Sequence, residues 1–193
     1  MSVRAVDRCW NSFLLISLLA LSWQFMMVVH ECGHVLNGLL TGAQLGNVSL
    51  HPLQFSRTDF TSNPSPRFVA WGGPTWGCII PAGVWLAVRS SRWKREYLLR
   101  FFAGFCLIAN GSYLGFGWID RAGDAGDLLR YGTSTALLIA YGAVAVPCGL
   151  VLWNGIGSHF GFGRSPQHPD RLAAIAIAGL LFITTAVELL FAS

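Results

Sequence analysis

The sequence predicts an all-α polytopic membrane protein with about five transmembrane helices and a short membrane-associated β-hairpin after the first. Three observations carry that expectation. Of 193 residues, 53% are hydrophobic and only 11% are charged, against roughly 25% charged in an ordinary soluble domain, and the mean hydropathy is +0.52. The apolar residues are gathered into blocks of about 20, the length that crosses a bilayer core. The 13 Lys and Arg, behind a formal net charge of +4, are scattered thinly between the blocks. That scatter marks topology and gives no nucleic-acid surface. One transmembrane domain, 1–193, is expected, with a core at about 12–130 and further helices at about 131–153 and 172–191.

The first block runs from about 12 to 40. Arg4 and Arg8 precede it as they would in a signal peptide, but the block carries His30, Glu31 and His34, so it is expected to remain as the first span. His30-Glu31-Cys32-Gly33-His34 is an H-E-x-x-H pattern. On a helix, positions i and i+4 lie nearly one above the other, so His30 and His34 can face one metal ion. Glu31 is about 60° from His34, within reach of a metal-bound water. Cys32 points about 200° away from His30 and is not expected to take part. Three ionisable side chains within five residues of a lipid-embedded helix mark a functional site.

From Thr41 to Pro66 the chain turns polar. Val48, Leu50, Leu53, Phe55 and Phe60 partly alternate within it, which suits a hairpin at the membrane surface whose edge could accept an extended peptide. The second block, about 68–88, opens on Trp71-Gly72-Gly73-Pro74 and reads as a broken or closely packed helix. The basic loop Arg89, Arg92, Lys94, Arg95 follows. The third block, about 97–119, holds Asn110 among Gly104, Gly111, Gly115 and Gly117, and a buried Asn needs partners. Asp120-Arg121-Ala122-Gly123-Asp124-Ala125-Gly126-Asp127 comes next, then the plain spans at about 131–153 and 172–191. His159 and His168, in the loop between those two spans, read as solvated. The five cysteines lack C-x-x-C spacing and predict no disulfide framework.

Five spans would put the termini on opposite faces. Arg4, Arg8, Arg89, Arg92, Lys94, Arg95, Arg100, Arg164 and Arg171 fall on the N-terminal side, and Arg57, Arg67, Arg121 and Arg130 on the other. The N-terminus is therefore expected to be cytoplasmic.

A catalytic zinc takes three protein ligands and leaves a position for water. Two are supplied by His30 and His34. The third is open among Asp124, Asp127, Asp120, His51, His159 and His168, with sidedness favouring the aspartates and His51.

Taken in order, His30-Glu31-Cys32-Gly33-His34, Val35-Leu36, Thr41-Gly42, Gly72-Gly73-Pro74 and Asp124-Ala125-Gly126-Asp127-Leu128-Leu129 resemble the site-2 protease family of intramembrane zinc metalloproteases. The resemblance covers roughly residues 25–130. It implies Zn2+ held by His30, His34 and Asp124, with Glu31 as general base. It further implies Asn110 as a donor to the oxyanion, and Gly72, Gly73 and Pro74 as a stretch that holds an unwound substrate. The family more often has Gly where Ala125 stands and a Pro shortly before the aspartate, so Asp127 stays a rival ligand. The implied activity is hydrolysis of peptide bonds in or near transmembrane segments. The implied partners are a membrane-protein substrate with a transmembrane helix, the lipid bilayer and a regulatory partner protein, with no nucleic acid. A catalytically inactive scaffold and a metal-binding or transport protein are the competing readings. A di-iron oxygenase is disfavoured, because five histidines are too few for its boxes.

Overall fold

The computed structural model describes residues 3–163 and 167–191; Arg164 of the charge count lies outside them. Helix α1 (Val3–Leu40) is followed by strands β1 (Gln44–Ser49) and β2 (Arg57–Ser62), then α2 (Pro66–Arg89), α3 (Glu96–Gly117) and α4 (Gly123–Arg130). Helix α5 (Thr135–Trp153), a 3₁₀ turn (Gly157–Phe160) and α6 (Arg171–Phe191) complete the chain. The long helices neighbour one another in the order α6, α1, α2, α3, α5.

Four helices, α1, α3, α5 and α6, are long and apolar enough to cross a membrane. The fifth expected span corresponds to α2, which at 24 residues is long enough but is not among those four. Its composition gives the reason. Gly72, Gly73, Pro74, Gly77 and Pro81 dilute its apolar character and are buried, on the side where α2 packs between α1 and α3 and small residues let backbones approach. Its other face exposes Ile79, Ile80, Val84 and Leu86. Large apolar side chains are left exposed along α5 (Leu137, Ile139, Val144, Leu150, Val151) and α6 (Leu172, Ile175, Phe182, Ile183, Leu190), the surface a bilayer would cover.

Glycine contacts set the helix spacing. A Cβ on Gly115 would stand 3.0 Å from Cα of Gly142, and one on Gly149 would stand 2.7 Å from the Gly104 carbonyl oxygen, so α3 and α5 meet backbone to backbone. Gly33 and Gly72 do the same for α1 and α2, each lying against the other's carbonyl. Helix α6 is tied to α1 by a polar clamp. Gln24 Nε2 donates to Thr185 Oγ1 at 2.7 Å, and Thr184 Oγ1 donates to Gln24 Oε1 at 2.6 Å. An amide in a span needs such partners.

One apolar core gathers Leu14, Leu18, Tyr97, Leu98, Phe101 and Phe160 at the end of the molecule away from His30. Here His159 stacks on Tyr97, centroids 4.1 Å apart and rings within 4° of parallel. It is thus a packed residue and not the solvated one expected. His168 is exposed. A second core, Ala70, Leu114, Ala125, Leu128 and Leu138, lies beside the histidine motif.

The hairpin forms as the alternation suggested. Strands β1 and β2 pair antiparallel, with Val48 opposite Thr58 and irregular register near Gly46. Successive side chains of a strand face opposite ways, so Thr58 and Phe60 turn together toward α1. Thr58 reaches Glu31, and Phe60 occupies the space a Cβ on Gly38 would take.

Candidate metal centre

The histidine motif sits in the second half of α1, where 3.6 residues per turn stack His30 over His34. His30, Glu31 and His34 are all buried, at 7%, 4% and 7% exposure. Each imidazole has one nitrogen held. His30 Nδ1 lies 2.7 Å from Asn110 Oδ1, while Asn110 Nδ2 donates to the Cys106 carbonyl at 3.0 Å. With its amide nitrogen engaged there, Asn110 presents an acceptor, so His30 Nδ1 carries the proton. His34 Nδ1 lies 2.8 Å from the Val69 carbonyl, which can only accept, so this nitrogen is also protonated. The Gly73 N–H at 3.3 Å is then a contact and no hydrogen bond.

Both Nε2 atoms are therefore left with lone pairs, and they face one another at 3.1 Å. The Asp124 carboxylate closes the triangle, 2.9 Å from His30 Nε2 and 3.3 Å from His34 Nε2. Two lone pairs and an anion at these separations repel unless a cation lies among them. A tetrahedral ion with bonds of about 2.0–2.2 Å has ligand-to-ligand edges of roughly 3.3–3.6 Å, close to the three distances seen. Among the described residues, His30, His34 and Asp124 are the group of metal-ligating side chains that converges, all donor atoms within 4.8 Å. The donor set fits zinc.

Helix α4 delivers Asp124. Ala125 and Leu128 are fully buried in the second core, and Ala125 fills the space against Gly117 that a Cβ there would need. The Ala that departs from the family pattern is a packing residue. Asp127 also lines the cavity but pairs with Arg130 at 3.3 Å and is half exposed. Asp120 Oδ1 accepts from the Ala122 N–H at 3.3 Å. His51 Nδ1 accepts from the Leu53 N–H at 3.1 Å within the hairpin loop.

Gly72, Gly73 and Pro74 lie inside a continuous helix. A Cβ on Gly73 would stand 2.5 Å from His30 Nε2 and strike His34 Nε2 as well, so glycine there is what admits the two imidazoles. The Pro74 carbonyl accepts from the Tyr141 hydroxyl at 2.7 Å.

Glu31 is gripped by the hairpin. Ser56 Oγ donates to Oε1 at 2.6 Å and Thr58 Oγ1 donates to Oε2 at 2.5 Å. Ser56, Thr58, Tyr113 and the Val69 carbonyl are site groups that the sequence reading missed. Tyr113 alone left a trace, since it stands three residues from Asn110 and so shares its helix face. A cavity of about 300 Å³ holds His30, Glu31, His34, Thr58, Tyr113 and Asp124 in its walls.

A model of the Peptidase M50B-like family matches residues 4–111. That stretch takes in the histidine motif, Gly72-Gly73-Pro74 and Asn110, and ends before Asp124. No curated protein and no solved structure matches the chain.

Proposed function

We propose, because the chain belongs to the Peptidase M50B-like family, that it is an intramembrane zinc metallopeptidase hydrolysing peptide bonds in or near transmembrane segments of membrane proteins. The observation that carries the reading is the convergence of two unprotonated Nε2 atoms and a partly buried carboxylate, with Glu31 in the wall of the same cavity. His30, His34 and Asp124 would hold the zinc. When bound, it would act as a Lewis acid and lower the pKa of its water from about 15.7 toward about 7.

The remaining work falls to the chain. Asn110 and the Val69 carbonyl fix the two imidazoles in the tautomer that leaves Nε2 free, so Asn110 is a positioning residue in this account. Glu31 accepts the proton of the attacking water and returns it to the leaving amine. Ser56 and Thr58 hold its carboxylate in one orientation. A membrane-spanning substrate would reach the cavity from the bilayer, and a regulatory partner would control its access.

Glu31→Gln keeps size and shape but removes the base. It is expected to abolish cleavage of a single-span substrate in proteoliposomes while the purified protein retains zinc. Cleavage at the wild-type rate would refute the peptidase reading.

A further inference from the structure

Amide hydrolysis places negative charge on the scissile carbonyl oxygen, and a site that excludes water needs a fixed donor aimed at it. Most side-chain donors around the cavity are already engaged. Asn110 uses Nδ2 on the Cys106 carbonyl and turns its Oδ1 to His30. Both imidazole Nδ1–H groups are held, and the Ser56 and Thr58 hydroxyls donate to Glu31. Arg57 pairs with Asp59 at 2.9 Å and is 72% exposed. Asn63 and Tyr131 make no hydrogen bond to the three ligands among the described residues.

Tyr113 is different. Its hydroxyl oxygen accepts from the Asp124 N–H at 2.9 Å, and among the described residues nothing accepts its own proton. The ring stands edge-on to His30, centroids 5.9 Å apart, and the residue lines the cavity with all three ligands. The placement is built into the fold. Gly123 has φ of 54°, and a Cβ on it would strike the Tyr113 hydroxyl. Only glycine therefore lets the first turn of α4 close over that oxygen. Ala125 and Leu128 then anchor the helix in the second core.

We infer that Tyr113 is a catalytic residue, its phenolic O–H donating a hydrogen bond to the scissile carbonyl oxygen as charge develops there. No bond is made or broken at the phenol. It keeps its proton throughout, while the proton of the attacking water travels by way of Glu31. The base is held by the hairpin and the donor by α4, so an extended peptide lying between those two elements meets both. This inference rests on the peptidase reading above.

Tyr113→Phe retains the ring and removes the donor. The test uses detergent-solubilised, zinc-loaded full-length protein and a phosphinic pseudo-peptide with leucine side chains on either side of phosphorus, a charged mimic of the tetrahedral transition state. Tyr113→Phe is expected to weaken binding of this probe about 100-fold. It should lower kcat by a similar factor, with KM and zinc content unchanged and a loss of only the few degrees of melting temperature that the lost Asp124 N–H acceptor accounts for. Wild-type probe affinity and kcat would overturn the inference. Loss of zinc would overturn it too, by making the hydroxyl a support for α4. The two ideas fail separately. An active Glu31→Gln sinks the peptidase reading, whereas an inactive Glu31→Gln beside a fully active Tyr113→Phe sinks only the role of Tyr113.

Discussion

His30 can ligate through Nε2 because Asn110 holds the proton on the other nitrogen, 2.7 Å away. Partners of this kind commonly tune metal affinity by about 10–100-fold. Asn110→Ala is therefore expected to weaken zinc by that factor in a chelator competition, and Asn110→Asp, which keeps the acceptor, to hold it near wild type. Unchanged affinity in Asn110→Ala with a loss confined to kcat would instead make Asn110 the oxyanion donor. The histidines and Glu31 were legible in the sequence because their relation is local, one helical turn apart. Tyr113, Ser56 and Thr58 were not. Each reaches the site only after a distant element has folded: α4 closes over Tyr113, and β2 lies across α1 to bring Thr58 to Glu31.

Helices α1 and α2 touch through Gly33 and Gly72, and this contact fixes how far Gly73 stands from the imidazoles. A Cβ on Gly33 would stand 2.8 Å from the Gly72 carbonyl carbon and press on its oxygen, so one backbone must shift. Overpacking of that kind costs about 1–3 kcal/mol. Gly33→Ala is expected to lower the melting temperature in detergent and to weaken zinc binding. Gly83→Ala, which meets nothing within 4 Å, should change neither. Equal behaviour of the two variants would show that the close approach is unimportant. The hairpin could be read from its alternation, and α2 was rightly marked by its glycines as closely packed. At 24 residues it is long enough for the fifth expected span, and its glycines, prolines and tryptophans are what keep it from the four helices apolar enough to cross a membrane on composition alone. Helix α4 escaped the sequence reading altogether. Asp120 to Asp127 looks like a charged turn until Ala125 and Leu128 are seen buried beneath Leu114 and Leu138.

At the scale of the whole molecule, four apolar helices and α2, packed between α1 and α3, form a multi-pass membrane protein of a peptidase family. Its polar centre lies in the second half of α1, under the hairpin and α4. About twelve residues, or roughly 18 Å of helix, separate His30 from Leu18 in the core at the other end. That division was foreseeable in outline, since the first part of the first span is purely apolar and the ionisable residues begin only at His30. Which aspartate joins them was not foreseeable from spacing, because Asp120, Asp124 and Asp127 lie within eight residues. The fold brings Asp124 beside His30 and His34 and leaves Asp127 with Arg130. Metal analysis of the purified protein tests this most directly. The account predicts about one zinc per chain in the wild type, in Glu31→Gln and in Asp127→Ala, with zinc lost from His30→Ala and from Asp124→Ala. A wild-type protein that takes up no zinc, or an Asp124→Ala variant that keeps it while Asp127→Ala loses it, would contradict the account.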